Sequence, residues 1–173
     1  MGLDRDLDQD FAEFVGARWT SLYRLAYLLA ASPAGAEDLL QTTLEKAYMG
    51  WGRISAMEYP EAYVRRMITT TLVSSRRRAW NRERPTEHLP ETGADSGELG
   101  ALDRSLLWPL VCALPERQRA VIVLRYYEDM SEAQIAQTMG CAAGTVKSQS
   151  SAAMAALRRA LVASGVGQEV GGA

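Results

Sequence analysis

Residues 131–148 read SEAQIAQTMGCAAGTVKS and determine the fold of the C-terminal half of the chain. Ala136 is small where a second helix has to cross close to the first, and Gly140, four residues later, can adopt the positive φ of a tight turn. Val146 is apolar and can pack the second helix back onto the first. This spacing predicts a helix-turn-helix, whose second helix enters a DNA major groove. An ordinary helical hairpin is the alternative, because motifs this short also match by chance.

Helical periodicity extends to both sides of this motif, and strand signals are almost absent, so the chain is predicted to be all-α. The apolar spacing predicts a first helix that starts at or near Asp10. A second helix is expected after Ser32 and Pro33, which suit its cap and first turn. A third, long helix is expected between Pro60 and Pro85, after a turn at residues 50–53. The helices predicted in the C-terminal half are residues 105–114, 115–126, 131–139 and 145–162.

Residues 85–100 lack an apolar period and are rich in Pro, Glu, Thr, Gly, Asp and Ser, which is typical of a linker. The 173 residues are enough for two small domains on either side of it. We therefore expect two small helical domains joined by a flexible linker, the C-terminal one a helix-turn-helix. The expected ranges are 8–84 for the first domain, 85–103 for the linker, 104–163 for the second domain and 164–173 for a loose tail.

Charge is distributed unevenly along the chain, although the formal net charge is only −2. Residues 1–59 contain 5 basic and 9 acidic side chains, whereas residues 60–90 contain 7 basic and 3 acidic ones. Residues 133–168 contain no acid at all. Scattered charges usually mark solvated helix faces, but the run Arg76–Arg78 is denser than that explanation predicts. Two local basic zones favour two separate contacts with a polyanion.

Trp51 and Tyr59 precede the basic third helix. Aromatic side chains beside a cationic groove can stack on unpaired bases while arginines hold the backbone. Packing in the core is the alternative for each ring.

Several function classes are excluded by what the sequence lacks. No apolar run approaches the ~20 residues of a membrane span, and an acidic N-terminus is unlike a signal peptide, so a cytoplasmic protein is expected. Two cysteines, Cys112 and Cys141, and the single His88 cannot form a structural zinc site. Because there is no nucleophile–base pair, phosphate loop or metal cluster, we expect neither an enzyme nor a cofactor.

The chain resembles the extracytoplasmic-function (ECF) sigma factors, the smallest class of bacterial promoter-specificity subunits, and among them the SigE-type subgroup. The resemblance extends from about Phe11 to Leu161. The motifs that carry it are AEDLLQ at 36–41, WGRI at 51–54, PEAYVRR at 60–66, LPERQR at 114–119, LRYY at 124–127 and GTVKSQ at 144–149. It implies a cytoplasmic bacterial protein whose partners are core RNA polymerase, promoter DNA and, in many relatives, an anti-sigma factor.

The resemblance also implies which residues make each contact. Core polymerase would be bound by Asp38, Leu39, Gln41 and Glu45. The −10 element would be bound by Trp51, Tyr59, Thr70, Ser74, Arg76 and Arg77, and the segment Ser55–Tyr59 would capture a flipped base. The −35 duplex would be bound by Ala143, Thr145, Lys147, Ser148, Gln149 and Ser151.

The chain departs from the family pattern at four positions. Ala142 stands where Ser or Thr is common, so the second helix of the motif lacks a side-chain cap worth about 1 kcal/mol. Ala152 and Ala156 replace residues that are usually basic, which removes phosphate contacts. Thr70 stands where Asn is common. We infer that this protein relies more than usual on polymerase for its DNA affinity.

A free-standing dimeric helix-turn-helix regulator is the alternative to a polymerase subunit. Its N-terminal half would be a dimerisation or ligand-sensing module, and it would not need the arginines at 76–84. Native mass discriminates the two, because a regulator that binds a palindrome is expected to be a dimer.

Overall fold

The computed structural model describes residues 2–82 and 104–165, and all regular secondary structure in these two ranges is helical, which confirms the predicted all-α class. The elements of the first range are α1 (Gly2–Ala30), α2 (Pro33–Met49), α3 (Trp51–Ile54) and α4 (Pro60–Arg82). Those of the second range are α5 (Arg104–Cys112), α6 (Glu116–Ile122), a π-helical segment (Val123–Tyr127), α7 (Glu132–Met139) and α8 (Ala143–Ala163). The chain divides into two compact units, with the division after Arg77 inside α4. The predicted linker at 85–103 lies outside the described residues.

The first helix starts at Gly2, eight residues before the predicted start at Asp10. The apolar periodicity that guided the prediction begins at Phe11, but the residues before it are held by contacts with distant parts of the unit. Asp8, for example, accepts a hydrogen bond of 2.6 Å from the hydroxyl of Tyr48 at the end of α2. Tertiary contacts therefore extend the helix beyond its apolar pattern.

The start of α2 agrees with the prediction. Ser32 has extended backbone angles and its hydroxyl oxygen accepts a hydrogen bond of 3.1 Å from the Gly35 amide, while Pro33 occupies the first turn. Position 35 favours glycine, since a Cβ there would lie 2.8 Å from Ser32 Oγ and 3.1 Å from Ala30 Cβ. The expected turn at residues 50–53 is in fact mostly the short helix α3.

The core of the first unit is aliphatic and includes side chains from all four helices. Its fully buried large members are Leu22, Leu25, Leu29, Leu40, Ile54, Val64 and Ile68. A polar network also links α1 to the start of α4, in which Ser21 donates to Glu61 at 2.9 Å and Arg18 pairs with Glu61 at 3.2 Å. The start of α4 is thereby attached to α1.

The second unit contains the predicted helix-turn-helix. Ser131 caps α7 through a reciprocal capping box with Gln134. Gly140 has φ 64°, the left-handed conformation expected at the turn. Val146 in α8 is fully buried, as is Ile135 in α7, and the two helices pack on each other. The motif is therefore a helix-turn-helix and its geometry follows from the spacing of small and apolar residues.

Two local features of the second unit differ from a regular helix pair. The helix expected to continue to residue 126 widens into a π-helical segment, in which the Glu128 amide donates to the Val123 carbonyl at 3.1 Å. Arg119 is buried and donates to the carbonyls of Cys112 and Leu114, which satisfies the end of α5. Burial raises the pKa of the Cys112 thiol and the charge of Arg119 opposes that rise.

No helix in the described ranges has the length and apolar character needed to cross a membrane.

Candidate polymerase- and DNA-binding surfaces

The outer face of α2 carries three of the four residues predicted to bind polymerase. Asp38, Gln41 and Glu45 are exposed and follow one another at helical spacing, so they share a face. Gln41 donates a hydrogen bond of 3.2 Å to the Glu45 carboxylate. Leu39 is the exception: its side chain is only 7% exposed and lies in the core. The prediction that Leu39 binds a partner directly is corrected by this burial.

A groove between α1 and α2 adjoins this acidic face and was not predicted. Its volume is about 480 Å³, and it is lined by Phe11, Trp19, Glu37, Gln41, Leu44, Glu45 and Tyr48. Trp19, which belongs to α1, is 46% exposed. It stacks on Tyr23, and Tyr23 on Tyr27, with ring centroids 6.1 and 6.4 Å apart. The spacing of these three rings, four residues apart, was the sequence signal for this exposed aromatic row.

Trp51 does not form part of an exposed surface. Its side chain is 3% exposed, and its indole packs against Phe11 and Phe14, with centroids 5.1 and 4.7 Å apart. The indole nitrogen donates a hydrogen bond of 2.8 Å to Asp10. The prediction that Trp51 stacks on a base is therefore corrected in favour of the alternative, core packing.

The segment Ser55–Tyr59, called here the recognition loop, connects α3 to α4. Its first residues bond back to α3: the Ser55 amide donates to the Trp51 carbonyl at 2.8 Å and the Met57 amide to the Ile54 carbonyl at 3.0 Å. At its far end Tyr59 is 68% exposed. The loop thus presents one large aromatic side chain to solvent from a fixed base, which is the geometry that stacking on an unpaired base requires.

The predicted DNA-binding positions of α4 are all exposed: Thr70, Ser74, Arg76 and Arg77. Both hydroxyls donate within the helix, Thr70 to the Met67 carbonyl at 3.1 Å and Ser74 to the Thr70 carbonyl at 2.7 Å, so each oxygen keeps lone pairs for an outside donor. Arg66 is also exposed, one turn before Thr70. It lies on the same face as Thr70, Ser74 and Arg77 and should have been included in the predicted set on helical spacing alone.

The first turns of α8 carry the third predicted surface. Ala143, Lys147 and Ser148 are exposed, whereas Thr145, Gln149 and Ser151 are half-buried. Lys147 provides the single positive charge of residues 143–151. Ala142, the N-cap residue of this helix, makes no side-chain capping hydrogen bond, as the sequence predicts. This surface is consequently small, polar and nearly neutral.

Comparisons with known proteins give the same assignment as the motifs. The profile of Sigma-70 region 2 matches residues 19–82 and that of Sigma-70, region 4 matches residues 105–157. The RNA polymerase sigma-E factor of Streptomyces coelicolor is 40% identical over 154 residues, which cover 89% of this chain and 87% of that protein. The ECF RNA polymerase sigma factor SigL of Mycobacterium tuberculosis is 35% identical over 150 residues, 84% of this chain and 85% of SigL.

A solved structure is also similar: the sigma factor RpoE of Bartonella quintana, crystallised in complex with the anti-sigma factor NepR. The match has a TM-score of 0.54 at 25% identity and covers 88% of this chain and 97% of RpoE. Two family profiles in the expected order, together with relatives of 35–40% identity along most of the chain, establish the assignment. The chain belongs to the ECF class of RNA polymerase sigma factors, close to sigma-E, and is a promoter-recognising subunit of that enzyme.

Proposed function

We propose that this chain binds core RNA polymerase through the outer face of α2, the −10 element through the recognition loop and α4, and the −35 duplex through α8. The observation that carries the proposal is the order of its two matched regions, region 2 at residues 19–82 and region 4 at residues 105–157. Both are needed in one chain for a subunit that contacts two promoter elements, and a free-standing dimeric regulator needs only the second.

The polymerase contact is assigned to α2 because one face of this helix carries exposed acidic residues at regular spacing. Asp38 and Glu45 project into solvent on one face, with Gln41 between them. A basic partner helix would be steered towards this face and oriented by it. The groove beside it, with Trp19 on its rim, offers apolar area that charge alone does not provide.

The −10 contact is assigned to the recognition loop and α4 because one exposed ring and several exposed cations occur together there. Tyr59 supplies a stacking surface, and Arg66, Arg76 and Arg77 supply positive charge. Stacking and backbone neutralisation are the two interactions by which proteins hold single-stranded DNA. Trp51 supports the loop from the core instead of contacting DNA.

The −35 contact is assigned to α8 because it is the second helix of the helix-turn-helix. With Lys147 as the only cation of its first turns, α8 makes few phosphate contacts, and its affinity for isolated duplex is correspondingly low. Binding to polymerase supplies the missing free energy by holding α8 close to DNA, as a second binding site does in any bivalent complex.

The role proposed for this chain is binding alone, so no residue is assigned to catalysis and no cofactor is invoked. Nucleotide addition belongs to the polymerase. The proposed compartment is the bacterial cytoplasm, where polymerase and promoters are found. An anti-sigma factor is a further proposed partner, since the solved relative RpoE is bound to one.

The proposal is tested by incubating the chain, with and without core polymerase, with a pool of genomic fragments, followed by run-off transcription. We expect selective binding and initiation only when core polymerase is present. Specific, tight duplex binding by the chain alone, without transcription, would contradict the proposal and favour the dimeric regulator. The selected fragments also give the promoter used in the experiments below.

A further inference from the structure

The first turns of α1 contact the end of α2 and the start of α3. Residues 7–14 of α1, called here the N-terminal clasp, make these contacts. Tyr48 donates to Asp8 at 2.6 Å, and the Phe11 ring lies between Tyr48 and Trp51, with centroids 5.3 and 5.1 Å away. Leu7 approaches Gly52: a Cβ added at Gly52 would lie 3.8 Å from the Cδ1 atom of Leu7. The clasp thus holds α3 by side chains that come from a different helix.

Within the clasp, Asp10 fixes the orientation of the Trp51 ring. The indole nitrogen donates to the Asp10 carboxylate at 2.8 Å, and a hydrogen bond to an ionised acceptor is stronger than one between neutral groups. Trp51 is buried, so its N–H group needs a partner inside the protein. Phe11 and Phe14 confine the ring on its other sides.

Trp51 in turn holds the recognition loop. Its carbonyl accepts the hydrogen bond from the Ser55 amide, and the carbonyl of Ile54 accepts the one from Met57. The helix α3 is only four residues long, too short to be stable by itself, and therefore takes its position from packing. A continuous set of contacts therefore runs from Asp10 through Trp51 to Ser55, at the base of the loop.

We propose that Asp10 is a positioning residue for −10 recognition: by holding Trp51 it sets the position of the loop that ends at Tyr59. The inference rests on the proposed function, in which that loop binds an unpaired base. In this proposal Asp10 acts through Trp51 and not through a contact of its own with DNA or polymerase. Its effect is on the geometry of the loop, so it should change −10 binding while leaving the α2 and α8 surfaces as they are.

The test compares Asp10→Ala with Asp10→Asn, both in holoenzyme assembled with core polymerase. Binding of a single-stranded −10 oligonucleotide from the selected promoter is measured by fluorescence anisotropy. Asp10→Ala should weaken it about tenfold, whereas Asp10→Asn keeps an oxygen that accepts from the indole and should remain within about twofold of wild type. Asp6→Ala, which removes an exposed acid from the same helix, is the matched control and should have no effect.

Two further measurements separate positioning from general destabilisation. In Asp10→Ala, affinity for core polymerase and for the −35 duplex should stay within about twofold of wild type. The polymerase measurement is informative because α2 belongs to the same unit as the loop, so unfolding of that unit would also weaken polymerase binding. Trp51→Phe removes the donor and keeps the ring. Its effect on −10 binding should match that of Asp10→Ala, and the double variant should be no weaker than either single one.

Three results would overturn the positioning role. The first is −10 binding by Asp10→Ala that equals wild type. The second is an equal loss of −10 binding in Asp10→Asn and Asp10→Ala. The third is a loss of polymerase affinity in Asp10→Ala that parallels its loss of −10 binding. If wild-type holoenzyme itself fails to bind the −10 strand, the proposed function of the loop fails together with the inference. If wild type binds and Asp10→Ala binds equally well, only the inference fails.

Discussion

The two surfaces that we propose to bind DNA differ in charge, although both are rich in hydroxyls. On α4, Arg66, Arg76 and Arg77 accompany Thr70 and Ser74. On the first turns of α8, one cation accompanies the hydroxyls of Thr145, Ser148 and Ser151. Since backbone neutralisation supplies a large share of DNA affinity, the two surfaces do not contribute equally. In the proposed function, the arginine-rich surface would supply most of the affinity for DNA, and the nearly neutral one would read duplex that polymerase has already brought close.

The difference has a physical advantage for a subunit that works only inside a larger enzyme. A strongly basic α8 would bind any duplex and compete with assembly on polymerase. A nearly neutral α8 binds DNA well only when other contacts raise its local concentration. Selectivity for promoters then depends on several weak contacts made together.

The largest effect is expected from replacing the cations of α4. The double variant Arg76→Ala with Arg77→Ala should weaken promoter-complex formation by tenfold or more, because two phosphate contacts are lost. For the same reason, the slope of log K against log salt concentration should become shallower by about two. Affinity for core polymerase should be unchanged. Filter binding of holoenzyme to the promoter over a range of salt concentrations measures the promoter affinity and its salt dependence.

Arg24→Ala is the control for this prediction, since it removes an exposed arginine of α1 outside the proposed DNA surfaces. An equal loss of promoter and polymerase binding in the double variant would mean that this part of α4 is a polymerase surface, and the comparison between α4 and α8 would then be invalid.

Adding charge to α8 should make the two surfaces more alike. Ala152→Arg with Ala156→Arg restores cations one turn apart, and long arginine side chains can extend from half-buried positions to solvent. We expect promoter affinity to rise about fivefold to tenfold, with a salt dependence steeper by about two. The chain should also begin to bind −35 duplex without polymerase.

Ala152→Gln with Ala156→Gln separates the effect of charge from that of size. These uncharged side chains should leave affinity and salt dependence close to wild type. A gain of the same size in the glutamine variant would show that packing, and not electrostatics, limits α8.

A smaller effect is expected from removing the single cation of the first turns of α8. Lys147→Gln should weaken holoenzyme binding about threefold to fivefold on all promoters alike and reduce the salt dependence by about one, as for a single phosphate contact. Competition between promoters with altered −35 elements tests this. If the loss depends on the −35 sequence, Lys147 contacts a base edge instead of a phosphate.

Most of the fold could be predicted because its determinants are local. Ser32 and Gly140 define helix ends through a hydrogen bond or a backbone angle of their own, and each was identified from neighbouring residues alone. The start of α1 could not be predicted in this way, because Asp8 and its neighbours are held by residues about 40 positions away. Local patterns do not record such contacts.

The candidate surfaces could be predicted in chemical type but not in every residue. An aromatic residue near a basic helix is equally compatible with stacking on DNA and with packing in the core. Trp51 is buried because the N-terminal clasp packs against it, whereas Tyr59 is exposed. Leu39 was misassigned for a related reason: the motif places it among exposed residues, whereas helical spacing places it on the buried side of α2.

The smallest effect concerns the uncapped start of α8. Ala142 has φ −73° and ψ 152°, the extended geometry of a capping residue, but it has no oxygen to accept from the first amides of the helix. Ala142→Thr should supply that acceptor and stabilise the second unit by about 1 kcal/mol, a rise of about 4–8 °C in its unfolding temperature. Ala142→Val has the same shape without the hydroxyl and should give no gain, so calorimetry of the pair isolates the cap. If threonine stabilises the unit yet promoter affinity stays constant, the weakness of α8 is electrostatic, and the difference between the two DNA surfaces is one of charge alone.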